Sequence, residues 1–412
     1  ENLVLFDNYS GGVSTSRDSW VYNSSKNMVK KNMTRMIDFY NNELERFNLA
    51  YPTLDTNQRK LLINDFINTN SQYISWSVSP KLDLAQNRKH EFKENNLVCS
   101  LYRPFFKQYL YFDRDFNERV LQMPRIFPNI GADNLVIQVT GVGARTFSTL
   151  ISNALPCYDN VEKGQCFPLY LYDEKPEEQA GNDLFTAQNT ADKPERRDAI
   201  TDAGLGHFQE AYPGENITKE DLFFYVYGLL HSEDYRTRFA DNLSKELPRI
   251  PRVKTATDFW AFSRAGRDLA NLHLNYETVE KYPLKLVYKG HLTDDDYRVE
   301  KMKFGRIKDL ETGKNINDRS TVIYNNRITL TDIPEKAWDY VVNGKAALDW
   351  VMERQAVTTH KDSGIVNDAN DWAIETMKNP KYPLELFQRV ITVSLETQKI
   401  VENLPKLLLS KA

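Results

Sequence analysis

The chain has 412 residues, of which 41% are hydrophobic and 27% charged, as in ordinary globular proteins. A domain usually has about 100–200 residues, so the length permits two or three domains with a sizeable core. No apolar run reaches the ~18 residues of a membrane-spanning helix, and we expect no membrane partner. The net charge of -4 argues mildly against nucleic-acid binding. It does not exclude such binding, because the local charge distribution matters more than the sum.

The chain begins Glu1-Asn2-Leu3-Val4, with no initiator methionine and no signal-peptide pattern, so we expect a fragment of a longer polypeptide. The three cysteines, Cys99, Cys157 and Cys166, are too few and too scattered for a disulfide framework or a zinc knuckle. They fit a reducing compartment, and we expect the cytoplasm.

The first part of the chain, residues 1–85, is predicted to be mainly helical. Residues 10–23 read as a loop that leads into a short strand. Apolar residues then recur at helical spacing over residues 26–47, and residues 56–68 predict a second helix.

From residue 86 onward, strand patterns become common. Residues 97–102 and 108–112 predict strands around a turn, residues 135–139 and 167–172 predict two more, and residues 115–122 predict one or two helical turns. Residues 173–198 are polar and charged, so they are predicted to form a flexible surface loop.

Helices and strands then follow in separate groups. An N-cap at Thr218 opens a helix that is followed by helices over residues 239–247 and 259–272. Strands are predicted at residues 284–288, 322–324 and 328–330, and helices at residues 334–352 and 383–404. This segregation favours an α+β fold, in which a helical lead-in precedes a mixed sheet-and-helix domain over residues 86–412.

Two short motifs invite catalytic interpretations. Gly141-Val142-Gly143 follows an apolar strand, but Thr146 stands where a nucleotide-binding loop has its third glycine, so we predict a plain turn. Asp173-Glu174-Lys175 resembles part of a metal nuclease motif, yet it borders the charged loop and reads as a solvated charge run.

No convincing catalytic set is present in the sequence. The six histidines show no metal-ligand spacing, and there is no nucleophile elbow or phosphate loop. Adenine-N6 methyltransferases carry an Asn-Pro-Pro-Tyr-type tetrapeptide, whereas Asn379-Pro380-Lys381-Tyr382 contains a lysine and reads as a turn at a helix end. We therefore expect no catalytic residues, metal or cofactor in this chain, and no activity of its own.

Basic residues cluster in one segment. Arg298, Lys301, Lys303, Arg306 and Lys308 lie close together, and Arg319 and Arg327 follow, with Asn325-Asn326 between them; Arg249 and Arg252 flank Pro251. Lysine and arginine neutralise phosphates or bind guanine, and asparagine pairs with adenine. A solvated strand face is an equally supported interpretation of the spacing alone.

Several strings resemble the C-terminal specificity region of Type ISP restriction-modification enzymes, and they come in that family's order along nearly the whole chain. They are Thr15-Ser16-Arg17-Asp18-Ser19-Trp20-Val21-Tyr22, Ser100-Leu101-Tyr102-Arg103-Pro104-Phe105, Gln165-Cys166-Phe167-Pro168-Leu169-Tyr170, Tyr225-Val226-Tyr227-Gly228-Leu229-Leu230-His231-Ser232, Leu247-Pro248-Arg249-Ile250-Pro251, Leu272-His273-Leu274-Asn275-Tyr276-Glu277 and Leu348-Asp349-Trp350-Val351-Met352-Glu353-Arg354. One departure is Val78-Ser79-Pro80, where a basic residue would be expected.

The resemblance implies the recognition part of a single-chain enzyme that also has nuclease, translocase and methyltransferase parts. Residues 1–85 would be the tail after the methyltransferase core, and residues 86–412 the domain that recognises double-stranded DNA for adenine methylation and cleavage in phage defence. S-adenosylmethionine, ATP and Mg²⁺ would be bound by the full-length enzyme outside this chain. The alternatives are a methyltransferase fragment with a residual cofactor or catalytic role, or an interdomain scaffold.

From the basic residues and the resemblance together we expect a set of DNA-binding residues. Lys301 and Lys303 would contact phosphates, Arg306 and Arg327 would read guanine, and Asn325 and Asn326 would lie near base edges. The complete set is Arg17, Arg249, Arg252, Lys301, Lys303, Arg306, Arg319, Asn325, Asn326 and Arg327.

Overall fold

The structure, a computed structural model, describes residues 3–173 and 194–410. Its helices are α1 (Asp18–Val21), α2 (Lys26–Ala50), α3 (Thr56–Phe66), α4 (Val78–Ala85), α5 (Met123–Ile126), α6 (Asp202–Ala211), α7 (Lys219–Leu230), α8 (Glu233–Arg238), α9 (Ala240–Lys245), α10 (Ala256–Leu274), α11 (Ala347–Arg354), α12 (Ala369–Asp371) and α13 (Tyr382–Glu402). Short 3-10 turns span Glu94–Asn96, Asp294–Tyr297 and Glu335–Trp338, and a π-turn spans Trp372–Thr376. Among the described residues, no helix is both long and apolar enough to cross a bilayer.

The strands form several small sheets. They are β1 (Ser10–Gly11), β2 (Tyr22–Asn23), β3 (Leu97–Arg103), β4 (Phe106–Tyr111), β5 (Val136–Val139), β6 (Thr149–Ser152), β7 (Leu155–Pro156), β8 (Gln165–Pro168), β9 (Tyr170–Asp173), β10 (Glu195–Asp198), β11 (Lys285–Val287), β12 (Lys303–Lys308), β13 (Asn315–Ile323), β14 (Thr329–Thr331), β15 (Val341–Val342), β16 (Lys345–Ala346), β17 (Val357–Thr359) and β18 (Val366–Asp368). The larger sheets have the orders β1-β8-β5-β6, β2-β4-β3-β7 and β11-β14-β13-β12. Helix and strand groups are segregated along the chain, and the fold is α+β.

The helical lead-in packs directly against the first sheets. Trp20, Tyr40 and Phe47 are buried in the same hydrophobic cluster as Leu110 and Leu171. In addition, β2 pairs with β4, so the lead-in contributes a strand to the sheet that follows it. The position of a boundary near residue 85 stays a prediction.

A close helix pair forms the centre of a second cluster. Helices α7 and α10 cross where Gly228 faces Gly266, and a Cβ built on Gly266 would lie 1.8 Å from the carbonyl oxygen of Phe224. Only glycine lets the two backbones approach so closely. The predicted N-cap of α7 is confirmed, because the Thr218 side chain accepts a hydrogen bond from the amide of Asp221.

The third cluster holds the sheet that carries the basic segment. Val322 and Leu330 point inward from β13 and β14 and pack in one cluster with Phe387 and Val390 of α13. The predicted C-terminal helix is confirmed as α13, which packs against the buried face of this sheet.

Three element predictions are wrong. Residues 115–122 form turns, and a short helix comes only at Met123–Ile126. Residues 334–352 are not one helix, because Asn343 and Gly344 take positive φ values of 49° and 81° and close the β15–β16 hairpin before α11 begins. The third concerns the predicted loop over residues 173–198: Glu195–Asp198 is β10, paired with β9. All four residues of β10 are charged and exposed, which is why the sequence pattern predicts a loop there. Residues 174–193 of the predicted loop lie outside the described residues.

The motifs that invited catalytic interpretations form turns or ion pairs in the structure. Gly141 and Gly143 form the turn after β5, and Gly143 has a φ of 73°. The Asp173 carboxylate is bound by Arg125 and Arg197. Asn379 opens a turn before α13, where its side-chain oxygen accepts a hydrogen bond from the amide of Lys381.

Candidate nucleic-acid interface

The β11-β14-β13-β12 sheet has one buried and one exposed face. Val322 and Leu330 are cross-strand neighbours on the buried face, and Phe304 pairs with Val322 from the edge strand. Because side chains alternate along a strand, Lys303 and its partner Ile323 lie on the opposite, exposed face. The hydrophobic alternation thus fixes which basic side chains point to solvent.

Lys301 and Lys303 line an open cleft of about 690 Å³ beside the end of β13. Both lysines are exposed, and neither forms an ion pair with any described residue. Asn326 is also exposed at the cleft. These two unpaired ammonium groups are available to an anionic partner.

The arginines of the cleft are already paired. Arg298 lies 2.6 Å from Asp368 and 3.1 Å from Glu300, and the Asp368 carboxylate raises the pKa of its guanidinium. Arg327 lies 3.6 Å from Asp296 and donates to two backbone carbonyl oxygens. Their charges are partly neutralised within the chain.

Asn325 organises the turn between β13 and β14. Its amide nitrogen donates to the carbonyl oxygens of Asp296 and Arg298, at 2.8 and 2.9 Å. Its side-chain oxygen accepts from the amides of Arg327 and Ile328, both at 2.8 Å. Since every polar atom of this side chain is engaged, we revise our expectation that Asn325 faces a base edge.

Beyond the sheet, β12 and β13 continue as a free two-stranded ribbon, formed by residues 305–308 and 315–318. Arg306 pairs with Asn317 and Lys308 with Asn315, so these four side chains share one face, which we call the polar ribbon face. Ile307 and Ile316 pair on the other face and are 48% and 41% exposed. Both faces of the ribbon are therefore open to solvent.

The tip of the ribbon is held by Asp309. Its carboxylate accepts hydrogen bonds from the amides of Glu311 and Thr312 and from the Thr312 hydroxyl, and the Thr312 amide contributes most to lowering the Asp309 pKa. Gly313 closes the turn with a φ of 64°, and Leu310 at the tip is fully exposed. The turn is thus shaped by its own hydrogen bonds.

The base of the ribbon is a bulge. Phe304 pairs with Val322 but Gly305 pairs with Asp318, so Arg319, Ser320 and Thr321 have no counterpart on β12. Such insertions bend a strand pair away from its sheet. The predicted DNA-binding residue Arg319 lies here, with its guanidinium 5.1 Å from the ring of Trp338. The contact between Arg319 and the Trp338 ring therefore supports the base of the ribbon.

The remaining predicted residues lie elsewhere. Arg17 is only 3% exposed, and its guanidinium donates to the carbonyl oxygens of Phe116 and Ser75 and to the Ser77 hydroxyl. Burial lowers its pKa to about 10. These contacts give Arg17 a role in holding the fold, and we leave it out of the interface.

Arg249 and Arg252 are not part of the cleft. Arg249 is exposed, pairs with Glu246 at 2.9 Å and lines a separate apolar groove next to Phe6. Arg252 donates to the carbonyl oxygen of His207 at 2.9 Å. The structure therefore brings together Lys301, Lys303, Asn325, Asn326 and Arg327 but not these two arginines.

Sequence reasoning missed one cluster with ligand-type side chains, Asp83, His90 and Asp115. His90 lies 3.1 Å from Asp83 and 3.4 Å from Asp115, while Arg88 lies 3.6 Å from Asp83 and 2.9 Å from Asp115. With the guanidinium already against both carboxylates, the arrangement is an ion-pair network. The large sequence separation of Asp115 hid it.

The chain matches one family of known proteins over most of its length. The family model described as the Type ISP C-terminal specificity domain matches residues 4–386. No curated protein shows significant similarity to the chain.

Solved structures resemble the chain over its full length. A nuclease-deletion mutant of the Type ISP restriction-modification enzyme LlaGI, in complex with a DNA substrate mimic, is 34% identical with a TM-score of 0.81 over 100% of this chain. The ATP-dependent Type ISP enzyme LlaBIII bound to DNA is 32% identical with a TM-score of 0.80 over 100% of this chain, and a DrdV-DNA complex is 31% identical with a TM-score of 0.78 over 98%.

The chain covers 34%, 24% and 36% of those three chains, respectively, and so spans about a third of their length or less. The family model nevertheless covers most of the present sequence. The chain belongs to the Type ISP C-terminal specificity domain family.

Proposed function

We propose that this chain is the sequence-specific DNA recognition module of a single-chain restriction-modification enzyme. The observation that carries the proposal is the similarity, along the whole chain, to two Type ISP enzymes solved with DNA or a DNA mimic, at 32–34% identity. The DrdV-DNA complex, at 31% identity over 98% of the chain, adds to it. The exposed, unpaired Lys301 and Lys303 supply the positive charge that backbone contacts require.

The module would position DNA for other domains. Phosphate contacts fix the register of a protein on the duplex, and base-edge contacts select the sequence. A methyltransferase must extrude its target adenine, and a recognition module holds the duplex while this happens. We propose the methyltransferase, translocase and nuclease domains of the same polypeptide as its partners. We assign S-adenosylmethionine, ATP and Mg²⁺ to those domains.

We further propose the cytoplasm as the location. The thiols of Cys99, Cys157 and Cys166 are free, and desolvation raises the pKa of Cys99 and Cys157 to about 11. Burial keeps such thiols protonated at neutral pH. It is the free state of the three cysteines that is typical of a reducing compartment, where structural disulfides are rare.

The test is the salt dependence of DNA binding by this chain. A Lys301→Ala/Lys303→Ala variant should bind a labelled mixed-sequence duplex more weakly in an anisotropy titration. If both lysines contact phosphates, the negative slope of log K against log salt should become shallower by about 1.8, at ~0.9 for each phosphate. The affinity deficit of the variant should then shrink roughly tenfold between about 50 and 200 mM salt.

The matched control is Lys60→Ala/Lys406→Ala, which removes the same charge from two exposed lysines on α3 and near the C-terminus. It should leave the slope close to that of the parent. Equal slopes for the parent and the Lys301/Lys303 variant would show that DNA does not lie over the cleft. Absence of any duplex binding by the parent would overturn the proposed function itself.

A further inference from the structure

The polar ribbon face has a composition suited to base edges. Arg306, Lys308, Asn315 and Asn317 are all exposed, and none has a side-chain hydrogen bond or ion pair to any described residue. Arginine and lysine can donate to guanine O6 and N7, and asparagine can bond adenine N6 and N7 in the major groove. No carboxylate stands among these four side chains to compete for them.

The dimensions of the ribbon also match a groove. The major groove of B-DNA is about 12 Å wide and ~8.5 Å deep and admits a two-stranded β-ribbon. Each ribbon strand has four paired residues, which extend about 13 Å at ~3.3 Å per residue. The bulge at Arg319 to Thr321 turns this ribbon away from the sheet, and no other described strand pairs with residues 305–308 or 315–318.

The carboxylates of Asp309 and Asp318 form hydrogen bonds within the hairpin. The Asp309 carboxylate binds the amides of the tip turn, and the Asp318 carboxylate accepts from the amide and hydroxyl of Ser320. Asp318 pairs with Gly305, which places it on the same face as Ile307. The charge on the polar ribbon face is therefore positive.

We propose that the ribbon inserts into the major groove and reads adjacent base pairs through Arg306, Asn315 and Asn317, with Lys308 against the flanking phosphate. This rests on the proposed function and adds residues that sequence reasoning had not selected, Asn315 and Asn317. The lysines of the cleft, on the same strand as Arg306 or just before it, would contact the backbone beside the groove.

The experiment begins with selection of the parent chain against a randomised duplex pool, which gives its preferred site. Asn315→Ala, Asn317→Ala and Arg306→Ala should each lose discrimination at one base pair by about 10- to 100-fold. Because the two asparagines are uncharged, their variants should keep the parental salt slope and the affinity for unpreferred DNA. Circular dichroism and melting temperature would establish that each variant is folded.

A modified duplex supplies the sharper readout. Replacing a purine of the preferred site by its 7-deaza analogue removes only the N7 acceptor in the major groove. The parent should lose affinity at that purine, whereas the variant that lacks its partner should be indifferent to the change, as in a double-mutant cycle. Ile307→Thr/Ile316→Thr, on the opposite face, is the matched control and should retain the parental preference.

The outcomes separate the two proposals. If the parent selects a site and all three polar-face variants select the same site, the ribbon proposal is overturned while DNA recognition stands. A shift of preference caused by the Ile307/Ile316 variant alone would also overturn it, since the other face would then be reading. Binding by the parent with no sequence preference, or failure of the parent to bind DNA, removes both proposals.

Discussion

Replacing Gly266 by alanine tests whether α7 and α10 approach as closely as the structure shows. A Cβ at this position would lie 1.8 Å from the carbonyl oxygen of Phe224 and 2.9 Å from the amide nitrogen of Gly228. Real Cβ contacts essentially never fall below 3.0 Å, so the helices would have to separate by about 1.2 Å. Backbone atoms form the obstacle, and no change of rotamer relieves it.

The expected cost follows from two opposing effects. Overpacking a core typically costs about 1–3 kcal/mol, and a backbone clash belongs at or slightly above the upper end. Alanine is better than glycine in a helix by up to about 1 kcal/mol, which offsets part of that cost. We expect Gly266→Ala to lower the free energy of unfolding by about 2–3 kcal/mol.

Urea denaturation followed by circular dichroism measures this difference, provided that the slope with urea is unchanged. The control is Gly206→Ala on α6, where a Cβ would meet no atom within 4 Å. That variant should be as stable as the parent or more stable by up to about 1 kcal/mol. If Gly266→Ala proves as stable as Gly206→Ala, the close crossing of α7 and α10 is refuted.

Two further predictions concern buried charged or titratable groups. Arg17→Ala should lower the free energy of unfolding by about 2–4 kcal/mol, because it leaves the Phe116 carbonyl without its donor. It should leave the salt slope of DNA binding unchanged. A normal stability together with a reduced slope would indicate that Arg17 contacts DNA. Burial lowers the pKa of His273 to about 3 and holds that of His231 well below its usual range. With an unfolded pKa of about 6.5, the stability from keeping each histidine neutral is complete above that pH and is lost as the pH falls. Lowering the pH from about 6.5 to 5 should therefore lower the free energy of unfolding by roughly 2 kcal/mol through His273. Urea titrations at each pH should show a smaller decrease for His273→Gln than for the parent. An equal decrease in both proteins would contradict a buried, neutral His273.

Much of the fold could be predicted where local signals dominate. Helices α2 and α13 appear in the sequence as apolar residues at helical spacing, because each buries a single stripe. The cap at Thr218 needs only its own turn. The family resemblance rests on strings along nearly the whole chain, and the match over residues 4–386 confirms it.

The ribbon could have been foreseen in part. Asp309 and Gly313 are typical turn residues, and the alternation of Arg306, Ile307 and Lys308 is typical of a strand. The polar character of both flanks hid the hairpin, since neither face of the ribbon is buried. The bulge that directs it outward depends on a register shift that no local pattern shows.

The sequence by itself determined which residue types are present in the basic segment and that they lie near one another along the chain. Only the tertiary structure decided which of them are free. Arg298 meets Asp368, Arg327 meets Asp296, and Asn325 is enclosed by carbonyls of the preceding loop. Asp368 lies 70 positions from Arg298, and pairing energies depend on distance in space. Spacing along the chain could therefore not separate Lys301 and Lys303 from their neighbours.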